Sequence, residues 1–438
     1  MKVRHLSVGL AAAVMAASIG AASMASAEDT IMVPNLSYRT GPYAPNGIPF
    51  ANGMADFWTL LNERDGGIGG VKIDYEECET GYNTKVGVEC YEKLKSKNPV
   101  VIPPNSTGIT YQLIPKAPID KIPVFSMGYG RTSAADGRVF PWIFNFPTTY
   151  WNQATAVIRY IGQQEGSLDK LKGKKIAHIY HNSAYGKEAN PTLEVLAKKH
   201  GFKLTLLAVD HPGQEQRATW LQIRKLRPDW IFMSGWGVMN QVAIKEASTI
   251  GFKMDRFIGN WWSGTEGDVL PAGAGANGYK ATTFHAPGSN YPLHDEIRKN
   301  VYAKGKGAGE ENRIGEVLYN RGLLWSLFVS EAIRGAQAKF SVGKVTGEQV
   351  RWAFENLAID EKRWAELGLP NFTGPIKVTC ADHEGAHPVQ MQQWDATAKQ
   401  WKIQGGLLQV MSDVTRPMIE ADASKFAKEN NITPRKCS

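Results

Sequence analysis

Two stretches of the chain carry spacings that do catalysis in other settings. His383-Glu384-Gly385-Ala386-His387 matches H-E-x-x-H, in which two imidazoles one helical turn apart hold zinc and the glutamate is the general base. That chemistry needs a continuous helix. Gly385 weakens one and Pro388 disfavours helical backbone at His387, so the stretch is predicted to be an irregular crossing without metal. Gly273-Ala274-Gly275-Ala276-Asn277-Gly278 fits G-x-G-x-x-G, but it precedes a strand instead of following one, the wrong context for a phosphate-binding turn. Neither a G-x-S-x-G elbow nor a phosphate loop occurs. No catalytic residue, cofactor or metal is assigned, and the chain is not expected to be an enzyme.

Other residues are suited to holding a molecule. The apolar run 229–234 ends in Gly235-Trp236-Gly237, and the run 256–259 ends in Asn260-Trp261-Trp262-Ser263-Gly264. Short apolar runs alternating with helical intervals read as buried parallel strands, and ligands sit beyond the carboxyl ends of such strands. One tryptophan under a loop is ordinary packing; two consecutive strand tips ending this way point to a lined cleft. Upstream, the run 99–102 leads into Asn105-Ser106-Thr107-Gly108 at a helix start, whose N–H groups and hydroxyls can receive an anion. Simple N-capping explains the same residues. The run 122–125 ends in Ser126-Met127-Gly128-Tyr129-Gly130, while Tyr43 and Tyr185 follow other strands and Tyr150 opens the second half.

The frame that must position these residues is ordinary in composition. The chain has 438 residues, 43% hydrophobic and 21% charged, enough for two or three domains. Residues 1–27 have a basic start, an Ala-rich apolar stretch and Ala25-Ser26-Ala27, the pattern of a secretory signal peptide cleaved after Ala27. No later stretch approaches the roughly 18 uninterrupted apolar residues of a membrane span. The formal charge of +8 loses two with Lys2 and Arg4, and the basic residues are dispersed, so no nucleic-acid partner is expected. Export makes disulfides available to Cys78, Cys90, Cys380 and Cys437, with three connectivities open. A local Cys78–Cys90 pair would leave Cys437 to fasten the tail to Cys380. Strands are predicted at 31–33, 71–76, 99–102, 122–125 and 141–146, and again at 175–180, 202–209, 229–234, 256–259, 279–284, 374–379, 390–394 and 401–403. Helices are predicted at 50–64, 84–96, 188–200, 219–226, 294–303, 315–339 and 346–356, followed by a polar tail.

The segment Gly53 to Gly70, Glu77-Cys78-Glu79, Ser106-Thr107-Gly108, Tyr185-Gly186-Lys187 and Gly374-Pro375 come in an order and spacing that resembles the periplasmic solute-binding proteins of the branched-chain amino-acid (leucine-binding-protein-like) transport family. The likeness runs from residue 30 to about 405. It implies an α/β type I periplasmic binding protein fold, two Rossmann-like lobes joined by three crossings. Lobe 1 would be 28–146 plus 285–382, lobe 2 147–284 plus 383–405, and 406–438 a C-terminal tail. It also implies a periplasmic monomer that closes over a small-molecule ligand and delivers it to an inner-membrane ABC permease. The family holds a ligand's carboxylate in the first lobe, at positions matching Ser106, Thr107 and the turn from Ser126 to Gly130. It places an acidic residue after the Phe-Ile-Gly strand to neutralise an ammonium; here Asn260-Trp261-Trp262 stands there, and Thr149-Tyr150-Trp151 opens the second lobe. A buried ammonium without a partner is costly. An aromatic or hydrophobic carboxylate is therefore expected, enclosed by Tyr43, Tyr129, Tyr150, Tyr185, Trp236, Trp261 and Trp262, unless Glu266 or Asp268 reaches in. The alternatives are branched-chain or hydrophobic amino-acid binding, amide or urea binding, or a sensor domain that presents ligand to a receptor.

Overall fold

The computed structural model describes Met1 and residues 29–437; apart from Met1, the expected signal peptide lies outside the described residues. The first lobe is built on parallel strands β1 (Thr30–Ser37) and β2 (Lys72–Glu79), paired along their full length. Val100 donates its N–H to Met32, and Ile102 bridges Val124, which joins this pair to the parallel strands β3 (Val124–Phe125) and β4 (Ile143–Phe144). The predicted strand at 99–102 is thus reduced to one bridge, because prolines at 99, 103 and 104 remove ladder donors on both sides.

The second lobe holds β5 (Lys175–His181), β6 (Lys203–Val209), β7 (Trp230–Ser234), β8 (Phe257–Gly259) and β9 (Lys280–Thr283). After a short antiparallel pair in the first lobe, β10 (Ala358–Ile359) with β11 (Ile376–Lys377), the chain returns to add β12 (Val389–Asp395) and β13 (Gln400–Leu408). The seven second-lobe strands run in the order β13-β12-β9-β8-β7-β5-β6, parallel from β9 to β6 and antiparallel at the β12 and β13 edge. Buried apolar strands such as Trp230–Ser234, with every residue inside, are what a sheet covered on both faces requires. The helix Tyr150–Gln164 covers one face with Ala154, Val157, Ile158 and Ile161. That helix is absent from the sequence reading, which took its first residues only as the opening of the second lobe.

Two helices cross in the first lobe at backbone contact. Ala44–Asp65 and Val317–Phe340 meet where a Cβ on Gly53 would lie 2.1 Å from the Tyr319 carbonyl oxygen and one on Gly322 2.1 Å from that of Phe50. Only glycine permits this approach. It fixes the position of Arg321, the residue beside Gly322.

The chain after β13 is not a polar tail. It forms the helix Ser412–Glu429 with Val414, Thr415, Ile419, Ala423 and Ala427 buried. The helix lies against both lobes. Asp422 pairs with Arg131 and Glu420 with Arg138 at 3.0 Å on the first-lobe side; Thr415 Oγ1 donates to Asn152 Oδ1 at 2.7 Å and Lys199 pairs with Asp413 at 3.0 Å on the second. Disulfides join Cys78 to Cys90 and Cys380 to Cys437. No helix among the described residues is long and apolar enough to cross a membrane.

Candidate functional site

The strand tips β7 and β8 bring Trp236, Trp261 and Trp262 to the face of the second lobe that meets the first. Asn260 shapes the second tip. Its Oδ1 accepts the Trp262 N–H at 3.0 Å and its Nδ2 donates to Tyr185 Oη at 2.7 Å. Both indoles then reach across, and Trp261 and Trp262 donate their Nε1–H groups to the carbonyl of Gly128 at 2.9 and 2.7 Å. Gly128 has φ of 72°, the left-handed turn that glycine adopts freely. The Gly128 carbonyl is thus committed as an acceptor between the lobes.

Aromatic rings pack around this contact. Tyr129 stacks on Trp262 at 4.4 Å and Tyr150 on Trp261 at 5.1 Å, while Tyr150 Oη also accepts from Trp262 Nε1 at 2.9 Å. Trp236 meets Trp262 edge-on at 5.1 Å and also borders Tyr38, Tyr82 and Tyr185. Tyr185 donates to the Gly235 carbonyl at 2.8 Å. Burial pushes the phenols of Tyr38, Tyr82, Tyr129 and Tyr150 well above their ordinary range, so they are neutral hydroxyls. Tyr43 stands at one side and spans the lobes, its Oη 3.0 Å from His181 Nε2 and 3.1 Å from His211 Nδ1. Desolvation lowers His181 to about 3, so that imidazole is neutral.

The residue beside Gly322 is Arg321, fully buried on the long helix Val317–Phe340. Its guanidinium carbon lies 4.8 Å from the Trp262 ring and 4.6 Å from that of Phe284. Nη1 donates to the Trp261 carbonyl and Nε to His285 Nε2 at 3.2 Å, while Nη2 has no partner. Among the described residues no carboxylate forms an ion pair with it. Desolvation lowers its basicity to about 9, and the same burial holds His285 neutral. A buried cation with a free donor and no counter-ion has the chemistry to receive an anion.

The other expected polar residues have local duties. Ser106 caps the helix Thr107–Leu113 through the Ile109 N–H, at 3.5 Å. Thr107 Oγ1 accepts the Gly130 N–H at 2.9 Å, and Ser126 Oγ shares a 2.7 Å hydrogen bond with Thr110 and donates to the Gly130 carbonyl. Asp268 accepts from Asn240 Nδ2 at 3.0 Å and from the Thr265 N–H at 2.9 Å, and desolvation raises it to about 6. Glu266 accepts the Val317 N–H at 3.0 Å, and desolvation raises it to about 8. Both carboxylates are occupied by the fold.

The H-E-x-x-H stretch is no helix: Gly385 and His387 both have positive φ. His383 turns to the Ile143 carbonyl at 2.7 Å and stacks on Phe144, away from His387. Asp382, Glu384 and His387 do bring ligand-type atoms within 4.8 Å of one another. Arg416 already lies 3.9 Å from Asp382, and Thr149 and Asn152 donate to Glu384 at 2.8 and 2.7 Å. The group ties the third crossing to the first.

Sequence reasoning missed Arg321, along with Tyr38, Tyr82 and Phe284. One signal was present. Arg321 is the sole charged residue in 317–330, a helical stretch apolar on every face, where a charge needs a reason.

The sequence profile described as periplasmic binding protein matches residues 30–400. Among solved structures, one from the Pseudomonas fluorescens group, described as an ABC transporter permease, is 40% identical, with a TM-score of 0.86 over 94% of this chain and 100% of its own. A branched-chain amino-acid ABC transporter protein from Thermus thermophilus with bound valine is 22% identical, with a TM-score of 0.75 over 89% of this chain and 99% of its own. A solute-binding protein from R. palustris in complex with benzoate is 16% identical, with a TM-score of 0.68 over 87% and 97%. The last two carry the fold alone. No curated protein matches the sequence.

Proposed function

The chain belongs to the periplasmic binding protein family and is the solute-binding component of an ABC transporter, and on that premise we propose that its ligand is a hydrophobic, above all aromatic, carboxylate. The observation that carries this reading is Arg321: a buried guanidinium without a counter-ion, under the faces of Trp262 and Phe284. A carboxylate supplies the missing charge, and the surrounding rings take an apolar body by stacking and edge contacts. An amino acid would add an ammonium among neutral phenols, with Glu266 and Asp268 both engaged elsewhere. The carboxylate receptor thus moves from Ser106 and Thr107, expected from the family pattern, to the long helix. That another protein of this fold binds benzoate is compatible with the ligand class.

In this reading the protein is exported after cleavage at Ala27 and acts as a monomer. Its lobes are 28–146 with 285–382 and 147–284 with 383–405. Ligand bridging the lobes stabilises the closed state, which is presented to an inner-membrane permease. The binding residues are Tyr43, Tyr129, Tyr150, Tyr185, Trp236, Trp261 and Trp262 with Arg321. Calorimetry with benzoate and cinnamate against leucine and valine tests the assignment. Micromolar binding of an aromatic acid, roughly 8 kcal/mol, is expected; tight leucine binding without response to any carboxylate lacking an ammonium overturns it.

A further inference from the structure

The same aromatic cluster holds a second donor without a partner. Trp236 is 1% exposed, and its Nε1–H meets no acceptor, whereas the neighbouring indoles of Trp261 and Trp262 both donate to Gly128. Most buried side-chain donors in native proteins are paired, and an orphan calls for an explanation; Trp58 and Trp401 also have unpaired indoles, but Trp236 lies in the aromatic cluster beside Arg321. Two orphans, Trp236 Nε1 and Arg321 Nη2, border one ring: Trp236 lies edge-on to Trp262 at 5.1 Å, and the Arg321 guanidinium carbon is 4.8 Å from it. The two differ in kind. Arg321 carries a charge and suits a carboxylate, while an indole N–H is a neutral donor that cannot accept.

Resting on the carboxylate reading above, we infer that the solute carries two acceptor groups, a carboxylate for Arg321 and a second, uncharged oxygen for Trp236. The class is an oxo-, formyl-, ether- or ester-bearing hydrophobic acid, not a plain hydrocarbon acid. Specificity follows from the asymmetry of hydrogen bonding. A site built around a polar partner discriminates strongly against the analogue lacking it, because the buried donor is then left unpaired. A second carboxylate would bring an unpaired negative charge to a neutral donor among neutral tyrosines, which burial disfavours.

The experiment uses matched pairs of acids that differ in one acceptor: 4-formylbenzoate against 4-methylbenzoate, and 5-oxohexanoate against hexanoate, measured by calorimetry on the full mature chain. Wild type is expected to bind the oxygen-bearing member of at least one pair about threefold to tenfold more tightly. Trp236→Phe keeps a ring and removes the N–H, so both members should bind it with equal affinity, at the level of the weaker one in wild type. Arg321→Met should lose both members together. If wild type binds the members of each pair equally, or if the preference survives in Trp236→Phe, this inference is overturned while the carboxylate reading stands. If neither member of either pair binds wild type, this inference is overturned, and the carboxylate reading falls with it only if benzoate and cinnamate also fail to bind. Circular dichroism of Trp236→Phe controls for folding, and a misfolded variant leaves the wild-type comparison to decide.

Discussion

Replacing Arg321 by methionine separates a binding residue from a structural one, because the two roles move stability and affinity differently. Methionine keeps most of the volume between Trp262 and Phe284 and removes the charge. In the free protein, desolvation lowers the Arg321 basicity from 12.5 to about 9, which sets a ceiling of about 5 kcal/mol on the cost of burying that charge. Against this stand the hydrogen bonds to the Trp261 carbonyl and His285, each worth roughly 1.5–3 kcal/mol for a charged donor. The opposing terms nearly cancel, so the free variant should unfold within about 2 kcal/mol of wild type in a urea titration. Binding has no such compensation. Removing one member of a buried charge pair costs roughly 3–5 kcal/mol, so affinity for benzoate or cinnamate should fall by at least a hundredfold. Arg321→Lys keeps the charge without the planar fork and should fall between the two. A binding role for Arg321 is refuted if Arg321→Met binds aromatic acids within threefold of wild type while losing more than about 3 kcal/mol of stability. That outcome would make Arg321 a cross-link between the lobes and leave the anion without a receptor.

Two further outcomes follow from other parts of the structure. Desolvation holds the Asp268 carboxyl protonated up to about pH 6 in the folded chain, against an ordinary value of 3.8. The folded state therefore binds the extra proton in that window, and this group's contribution is present below pH 3.8 and lost as pH rises to about 6, by at most roughly 3 kcal/mol. Asp268→Asn should remove that part of the slope in urea titrations from pH 4 to 7; an unchanged slope would show that the group titrates normally. Cys380 and Cys437 close a loop with a sequence separation of 57, for which chain entropy predicts about 4 kcal/mol. The double serine variant should expose residues 412–437 to limited proteolysis while Cys78–Cys90 stays intact on non-reduced peptide mapping; unchanged proteolysis would show that the helix holds without the link.

The sequence made the sheets and the tryptophan tips legible because they depend on local pattern: apolar runs of strand length, glycine at each tip, helical spacing between them. What it hid was decided by packing between distant segments. Arg321 reaches the cleft only because Gly53 and Gly322 let two helices, remote in sequence, touch at the backbone. Ser106 and Thr107 show where local pattern is ambiguous. A hydroxyl at a helix start serves equally as a cap and as an anion donor, and here both hydroxyls have local partners. The C-terminal helix does not show in the sequence because its buried face includes alanines and a threonine, a stripe too weakly apolar to stand out in a polar segment.

That helix has a bearing on how long a captured solute stays. Hinge rotation that separates the lobes must strip Ser412–Glu429 from one side, either from Arg131 and Arg138 or from Asn152 and Lys199. Cys380–Cys437 ties the end of that segment back to the chain at 380, so the helix stays tethered when either set of contacts is broken. On the closing mechanism proposed above, contacts that the solute does not itself make would also resist opening.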